Sequence, residues 1–591
     1  MSAEYGIKKM SRRVKISVLC LLLLVFTPLS WWLFKAELVR IVTKLPDFTH
    51  SLARIESTQI PMRDGVHLNT SIYIPEGEGP WPTLLVRDPY SSFDFLSCEI
   101  YVYYGFACVY QDTRGRFDSE GEWYPVVNER NDGIDTLDWL VEQKALHNGN
   151  IALAGSSYVG MVQYAVADKL PPEVKTIMTD VTSGDWYEIV HHGGHFQQGI
   201  MSEWLGLLNG HSNVLQEVAA HRPAVEADVA LLNEPRQWYR DYLLHPEKSD
   251  PYWNSETYRA IRNSYKSIDV PVLVTGAWHD FFIGLQLDMF EKLPTRNNSL
   301  MIVRQGDHGM DVGDLNIDAN LFERFGEFIQ QTLVWLNHHL KGQALTGPNS
   351  GYLLHMNQDD QWVHKNQWPS ASSSQTFYLS NLPAASDCKG DLVAQVPPQG
   401  AVSYRYDPSD PVPTVGGSRM LDANLAPGAS SEQGDLCLRQ DILSFVSEPL
   451  NSTISGSVQV KLLVASDAGD SAFTVKLVEV FESGGVRNIR DDITSLSFRN
   501  NAKHIQSYQA GSKVELTFDL VPIEWQLSPG SRLRLDISSS NYPMYNVHPN
   551  LPGNWATKTE SLVATQTLFE GSIIVPFSQN AMLSERELAR Q

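Results

Sequence analysis

The chain has 591 residues, which is too many for one hydrophobic core, so several domains are expected. Its 42% hydrophobic and 19% charged residues are typical of a globular protein and exclude a largely disordered one. The 46 basic and 68 acidic residues give a net charge of −22, which argues against nucleic acid as a partner.

The N-terminus has a charge and hydropathy pattern that predicts export. Basic residues at 8–15 precede an uncharged apolar run from Ile16 to Phe34, and about twenty apolar residues are needed to cross a bilayer. Basic residues on this side predict a cytoplasmic N-terminus and a body outside the cytoplasm. We therefore expect residues 1–45 to form a signal anchor that is the chain's only contact with a membrane. A cleaved signal peptide, with a secreted or periplasmic body, is the alternative.

Between about residues 60 and 342, short apolar runs alternate with amphipathic stretches. The runs predict buried strands at 82–86, 105–111, 150–154, 174–179, 270–275 and 299–304. Helices are predicted over 132–142 and 322–340, the second ending at Lys341-Gly342. This alternation predicts an α/β domain over 50–345 with a mostly parallel sheet covered on both faces. Residues 185–268 lack strand-like runs and are expected to form an inserted helical cap.

The sequence changes in character after residue 350. Long helical patterns disappear, and β-favouring segments are separated by clusters of Gly, Pro, Ser and Asn. Strands are predicted at 375–379, 458–465, 473–481, 513–520 and 532–538. We expect an all-β C-terminal domain over 350–585, either a β-sandwich or a jelly roll.

A strand followed directly by a Gly-Ser turn marks the first candidate site residue. The segment 150–160 reads NIALAGSSYVG, in which a buried strand leads into small residues and then into a helical pattern. A nucleophile elbow needs this arrangement, because its serine lies on a strained strand-to-helix turn above the sheet. Ser157 is therefore the candidate nucleophile, although the second glycine comes one place later than in G-x-S-x-G. An ordinary Gly-Ser turn is the alternative.

Candidate acid and base residues follow the next two predicted strands. Asp280 ends the segment GAWHD at 276–280, and His308 lies in GDHG at 306–309. Hydrolases with a nucleophile elbow carry nucleophile, acid and base in this chain order. We expect His308 to take the Ser157 proton and Asp280 to orient the imidazole. His279 and Asp307 are the neighbouring competitors.

These segments resemble the Xaa-Pro dipeptidyl-peptidase-like family of serine acyl hydrolases, which includes bacterial cocaine esterase and α-amino acid ester hydrolases. The likeness covers nearly everything after residue 55, and the family's elbow has the form G-x-S-Y-x-G, as here. The matching segments are PMRDGV at 61–66, LLVRDPY at 84–90, QDTRGR at 111–116, SEGE at 119–122, GSSYVG at 155–160, GAWHD at 276–280, GDHG at 306–309, WLNHHLKG at 335–342, DPVPTVGG at 410–417 and SSSNYP at 538–543. The resemblance implies an α/β-hydrolase domain with a helical cap, followed by a jelly roll.

The resemblance also implies an oxyanion hole. The family uses a tyrosine hydroxyl after an early strand and the backbone N–H that follows the nucleophile, which here are the hydroxyl of Tyr90 and the N–H of Tyr158. Relatives that hydrolyse α-amino acid esters carry extra carboxylates just past the acid residue. Here Phe281 and Phe282 follow Asp280, which favours an uncharged or aromatic acyl group.

Two aromatic residues and two sequence features remain. Trp186 and Trp278 are further candidates for the substrate pocket, with core packing as the alternative. The motif His191-His192-x-x-His195 has no evident carboxylate partner, so no metal site and no cofactor are expected. Cys98, Cys108, Cys388 and Cys437 could pair in three ways if the body is exported, or remain free thiols.

The sequence therefore predicts a serine hydrolase that cleaves a small acyl ester, or an amide, through an acyl-serine intermediate. An Xaa-Pro dipeptidyl-peptidase or an α-amino acid ester hydrolase, acting on a short peptide or an aminoacyl ester, is the first alternative. An anchored surface module that binds without catalysis is the second. The sequence does not determine the oligomeric state.

Overall fold

A computed structural model of the protein describes residues 28–91, 95–317, 320–358, 360–382, 388–420 and 428–578. Two large sheets organise these residues. The first has ten strands, in the spatial order β1-β2-β4-β3-β5-β6-β9-β10-β11-β12. Its strands are β1 (Leu52–Pro61), β2 (His67–Pro75), β3 (Trp81–Asp88), β4 (Ala107–Asp112), β5 (His147–Ser156), β6 (Val174–Asp180), β9 (Val272–Ala277), β10 (Leu300–Arg304), β11 (Gly351–His355) and β12 (Trp362–Lys365).

All pairs from β4 and β3 across to β11 are parallel, whereas the outer pairs at both edges are antiparallel. The central strands are apolar and buried along their length, as expected where helices cover both faces. All six strands predicted from the apolar runs are present. The sheet also extends past the expected domain end at 345, because β11 pairs in parallel with β10 and β12 folds back onto β11.

Helices lie on both faces of this sheet. The described helices are α1 (Pro28–Val42), α2 (Ile100–Val102), α3 (Glu129–Glu142), α4 (Tyr158–Tyr164), α5 (Trp186–Val190), α6 (Gln198–Leu208), α7 (Leu215–Ala220), α8 (Ala227–Leu232), α9 (Gln237–Leu244), α10 (Glu256–Asn263), α11 (Ile283–Glu291) and α12 (Leu321–Lys341). α12 packs with α2 on one face, and α3, α4 and α11 pack on the other. The end of α12 is the predicted one, since Gly342 follows it in a left-handed conformation with φ of 67°.

The chain between β6 and β9 forms the helices α5 to α10, in the region where the sequence predicts a cap. It also contains a two-stranded hairpin, β7 (His191–His192) and β8 (His195–Phe196), which the sequence analysis did not predict. The two glycines at its turn both have positive φ, and strands of two residues are too short to show alternation.

The second sheet forms a C-terminal β-sandwich domain of twelve strands. The long strand β24 pairs with four others, so that it joins the two halves of the sheet. The strands are β13 (Ser373–Ser380), β14 (Gly390–Val393), β15 (Val402–Tyr406), β16 (Leu443–Ser447), β17 (Thr453–Gly456), β18 (Gln459–Ser466), β19 (Ala472–Val480), β20 (Val486–Ser495), β21 (Val514–Asp519), β22 (Ile523–Gln526), β23 (Arg532–Ser538) and β24 (Ala564–Ser578). All five strands predicted in this region are present.

Two disulfides settle the cysteine pairing that the sequence left open. Cys98 pairs with Cys108 and Cys388 with Cys437, each with a Cα–Cα distance of 5.5 Å. The first ties the segment before α2 to β4, and the second lies in the β-rich domain.

The predicted N-terminal anchor lies largely outside the described residues, which begin at Pro28 within α1. Of the helices formed by described residues, none has both the length and the apolar character needed to span a membrane.

Candidate active site

Ser157 lies on the turn between β5 and α4, with φ of 56° and ψ of −129°. Residues other than glycine rarely adopt this backbone conformation, and holding it costs roughly 1–3 kcal/mol of strain. The flanking glycines make the turn sterically possible. A Cβ at Gly155 would collide with the carbonyl of Val159, and one at Gly160 would come within 2.5 Å of Thr182. The second glycine is therefore needed at position 160, because this residue packs directly against Thr182 in the segment after β6.

The structure brings Ser157, His308 and Asp280 together from three separate strand ends. The His308 Nε2 atom lies 3.1 Å from the Ser157 Oγ atom. The His308 Nδ1 atom lies 2.8 Å from Asp280 Oδ1, and the Asp280 side chain is fully buried. One ring nitrogen thus faces the hydroxyl while the other is held by a carboxylate, which is the arrangement that activates a serine.

The two competing residues lie outside this chain of hydrogen bonds. The ring of His279 is buried, and burial lowers its pKa well below the usual range, so that it stays neutral. Asp307 accepts hydrogen bonds from the N–H groups of Gly309 and Asp311 and thereby shapes the loop that carries His308. Burial raises the pKa of Asp307 to about 6.

Tyr90 lies just past the end of β3, where its hydroxyl hydrogen-bonds with that of Ser157. Burial raises the pKa of Tyr90 above its usual range, so the hydroxyl keeps its proton and remains a donor. The Trp204 Nε1–H donates to the same hydroxyl oxygen across 2.9 Å. The contact that orients Tyr90 comes from tertiary packing, and no local pattern in the sequence signals it.

Tyr158 contributes to the site through its backbone and to the fold through its side chain. Tyr158 is the first residue of α4, and the first N–H groups of a helix have no acceptor within the helix. Its backbone N–H can therefore donate to a ligand. Its hydroxyl accepts from the Val126 N–H at 2.8 Å and donates to Glu129 at 2.9 Å. Glu129 in turn forms a buried ion pair with Arg87 at 3.0 Å. Sequence analysis missed this support, although Arg87 lies within the matching LLVRDPY segment.

The four aromatic pocket candidates have different surroundings. The Phe281 ring stacks on His308 with centroids 4.7 Å apart, and the Phe282 centroid lies 5.8 Å from it. Trp186 packs edge-on against Tyr158 at 5.6 Å, behind the elbow.

The prediction that Trp278 lines the pocket is wrong. Its ring is fully buried, donates to the carbonyl of His355 at 3.0 Å and packs against Trp368. It lies only two residues before Asp280, but it points into the packing beside β11 instead of toward Ser157.

A cavity of about 790 Å³ opens beside Ser157. Near the hydroxyl, its walls are formed by Tyr90, Trp204, His308 and Met310. This volume is in the range of small-molecule sites, roughly 300–1,000 Å³.

The His191-His192-x-x-His195 motif serves packing and pairing. His191 Nε2 lies 2.8 Å from the carbonyl oxygen of Tyr242, and His192 Nε2 lies 2.7 Å from Asp492. Burial lowers the pKa of His195 to about 3, so its ring is neutral. Across the part of the chain that the structure describes, there is no group of three or more His, Cys, Asp or Glu side chains that could hold a metal ion.

Comparisons with known proteins match both large domains of the chain to one family of hydrolases. Residues 64–310 match the family model described as X-Pro dipeptidyl-peptidase (S15 family), and residues 346–571 match the X-Pro dipeptidyl-peptidase C-terminal non-catalytic domain. A cocaine esterase from Rhodococcus sp. (strain MB1 Bresler) is 30% identical over 552 residues, which cover 86% of this chain and 94% of that protein.

More distant relatives share the fold or part of the sequence. A Xaa-Pro dipeptidyl-peptidase from Ligilactobacillus salivarius is 20% identical over 71% of this chain and 51% of its own length. The solved structure of an α-amino acid ester hydrolase superposes with a TM-score of 0.73 at 21% identity, covering 89% of this chain and 96% of the other. A CocE/NonD family hydrolase from Staphylococcus aureus superposes with a TM-score of 0.64 at 16% identity, covering 89% of this chain and 93% of the other.

Proposed function

Because this chain belongs to the X-Pro dipeptidyl-peptidase (S15) family and is a serine hydrolase, we propose that it cleaves acyl esters through an acyl-serine intermediate on Ser157. The observation that carries the proposal is the pair of hydrogen bonds at His308. One links it to Ser157 at 3.1 Å and the other links it to Asp280 at 2.8 Å.

The geometry supports one route for the reaction. Ser157 Oγ attacks the ester carbonyl carbon while His308 Nε2 takes the hydroxyl proton, and Asp280 stabilises the imidazolium. The carbonyl oxygen becomes an oxyanion facing the Tyr90 hydroxyl and the Tyr158 N–H. Collapse of this intermediate breaks the bond to the alcohol oxygen, which receives the proton from His308. Water then repeats the sequence on the acyl-serine, releasing the acid and restoring Ser157.

An uncharged acyl group is the proposed preference. Phe281 covers one face of His308, so apolar surface occupies the position that directly follows the acid residue. A substrate ammonium placed there would lose its hydration without gaining a partner, which costs several kcal/mol. The dipeptidyl-peptidase and α-amino acid ester hydrolase activities of relatives both require the enzyme to hold such an ammonium, and they are the competing proposals for this chain.

The test compares two esters that differ by one ammonium. The phenylacetyl and phenylglycyl esters of the same phenol share a ring, and we expect the phenylacetyl ester to have the higher kcat/KM. Glycyl-prolyl-p-nitroanilide should be a poor substrate beside both. A faster phenylglycyl ester would show that the pocket holds the ammonium and would favour a competing activity. Absence of fluorophosphonate labelling at Ser157 would instead favour a binding module without catalysis.

We also propose that the body acts outside the cytoplasm. The two disulfides support this location, because structural disulfides persist mainly in oxidising compartments. Alkaline phosphatase fused after about residue 50 should be active if the body is exported, since this reporter folds only outside the cytoplasm. An inactive fusion, with an active cytoplasmic reporter at the same position, would contradict export.

A further inference from the structure

The cavity beside Ser157 continues along one face of the ten-stranded sheet. Its floor is formed by residues on that face near the ends of four strands, alternating as side chains on one face of a sheet do. These floor residues are Val86 and Asp88 of β3, Ala154 and Ser156 of β5, Met178 and Asp180 of β6, and Leu273 and Thr275 of β9. The cavity thus passes beneath the nucleophile instead of ending at it.

Helix α12 forms the opposite wall with a row of large apolar side chains. The lining includes Leu321, Phe322, Phe325 and Phe328 and ends at Thr332. At about 1.5 Å per residue, the stretch from Leu321 to Thr332 extends roughly 16 Å. An extended peptide backbone advances about 3.3–3.6 Å over the three bonds of each residue, and an acyl chain of similar geometry would fit roughly fourteen bonds into this length.

Polar groups of the cavity lining are hydrogen-bonded or ion-paired within the protein. Asp180 forms an ion pair with Arg304 at 2.6 Å and accepts from the Thr275 hydroxyl at 2.7 Å. Thr332 hydrogen-bonds with Tyr101 at 3.1 Å. Because these groups are paired within the protein, hydrocarbon forms the greater part of the surface available to a ligand.

Helix α1 borders the far end of the cavity. Leu38, Val39 and Val42 line the cavity there, and the segment that directly follows α1 is held against α12 at two points. Lys44 forms an ion pair with Glu323, and the absence of a side chain at Gly326 lets the Thr43 carbonyl approach α12 closely.

The cavity reaches solvent between these helices. Four lining residues on these helices are exposed large apolar side chains, with exposed fractions of 39% for Leu38, 39% for Val42, 52% for Leu321 and 59% for Phe322. Leu207 of the cap, 39% exposed, is a fifth such residue in the lining. An apolar mouth of this kind suits an apolar ligand better than a hydrated one.

We propose that this cavity receives a long unbranched acyl chain of the ester substrate, with the carbonyl at Ser157 and the terminal methyl group toward α1. This inference rests on the proposed esterase function. We assign the cavity to the acyl part of the substrate and not to its alcohol part. The alcohol leaves after the first half-reaction, whereas the acyl group stays bound until water releases it. A deep apolar channel therefore stabilises the part of the substrate present in both steps.

The first test is a chain-length series of p-nitrophenyl esters from acetyl to hexadecanoyl, each below its critical micelle concentration. Burying one methylene contributes about 0.8 kcal/mol, so kcat/KM should rise roughly fourfold per methylene until the channel is full. A matched series of acetate esters with lengthening alcohols should show no comparable rise. An equal gain on the alcohol side would overturn the assignment.

The second test places a charge in the path of the chain. In Val42→Asp, kcat/KM for dodecanoyl esters should fall about tenfold or more relative to acetyl esters, because a methylene chain that reaches this end of the cavity would lie against a carboxylate. Ile41→Asp is the matched control, since Ile41 is 60% exposed, lies on the same helix and is absent from the cavity lining. Val39→Trp, which fills the channel from α1, should shorten the preferred chain.

The outcomes separate this inference from the proposed function. Hydrolysis that depends on Ser157 but is indifferent to acyl length, as expected if another part of the chain filled the channel, would overturn the acyl-chain site alone. Val42→Asp and Ile41→Asp behaving alike on every ester would also overturn it. Failure of Ser157 to support hydrolysis of any ester would overturn the proposed function.

Discussion

The Trp204 indole N–H donates a 2.9 Å hydrogen bond to the Tyr90 hydroxyl. A residue of the cap thus orients a residue at the carboxyl end of the central strand β3. Both side chains lie in the wall of the cavity next to Ser157. Since the tyrosine oxygen accepts from the indole, its own proton is directed away from Trp204. The cap is therefore part of the proposed oxyanion hole as well as a cover.

Removing the Tyr90 hydroxyl should lower kcat by about 10²–10³ with little change in KM, because an oxyanion donor acts mainly in the transition state. Tyr90→Phe tests this with any p-nitrophenyl ester. Trp204→Phe should give a smaller loss of kcat, since the Tyr90 hydroxyl remains but loses the hydrogen bond that orients it.

A double-mutant cycle separates positioning from a general packing effect. If Trp204 acts through Tyr90, adding Trp204→Phe to Tyr90→Phe should cost little further activity. Additive losses would show that the two side chains contribute independently. Trp186→Phe is a matched control, because its indole donates to Tyr242 and not to Tyr90.

Replacing Ser157 should abolish activity, whereas replacing the adjacent Ser156 should not. Ser157→Ala should lower kcat by a factor on the order of 10⁶ and leave the unfolding midpoint unchanged, because the hydroxyl is a reactive group. Ser156→Ala should retain activity, since the Ser156 hydroxyl donates to Asp180 at 3.2 Å. Hydrolysis and fluorophosphonate labelling, measured on both variants, check this. Labelling that survives in Ser157→Ala and disappears in Ser156→Ala would place the nucleophile one residue earlier.

The contact between the cap hairpin and the β-sandwich should make stability depend on pH. Burial acts to lower the pKa of His192, but Asp492 at 2.7 Å outweighs it and raises the pKa to about 9. Because the folded pKa exceeds the ordinary value of about 6.5, the stabilisation is complete below that pH and is lost as pH rises toward 9. Glu188 and Asp491 also favour the charged ring.

His192→Gln should therefore lose roughly 1–3 kcal/mol of stability at mildly acidic pH and much less at alkaline pH. Urea unfolding at both pH values measures this difference. His67→Gln is the control, because the His67 side chain is 47% exposed and pairs with an exposed Glu120. A difference between wild type and His192→Gln that is the same at both pH values would contradict the ion pair.

The disulfides should each stabilise the fold. Paired replacement of Cys98 and Cys108 by alanine should lower the free energy of unfolding by roughly 2–4 kcal/mol, chiefly by loosening the unfolded chain. Peptide mass analysis after alkylation without reductant should leave Cys98, Cys108, Cys388 and Cys437 unlabelled. Alkylation of any of these four in the folded protein would contradict the pairing.

The sequence alone predicted six strands of the first sheet, five strands of the second, the helices over 132–142 and 322–340, and the order of the candidate triad. These features are local, because buried strands are short apolar runs and a strained serine turn requires small neighbours such as Gly155 and Gly160. Chain order along a parallel sheet then predicts that residues at the ends of successive strands meet at one edge, which is where Asp280 and His308 lie.

Only the tertiary structure decided which aromatic residues face the site. Phe281 stacks on His308, whereas Trp278, three residues earlier, packs beside β11. Trp204 reaches Tyr90 from 114 residues away, and α1 forms the end of a cavity that begins at Ser157. Such contacts depend on the directions in which packed elements point their side chains. Those directions are set by the packing of distant segments, and no local pattern in the sequence encodes them.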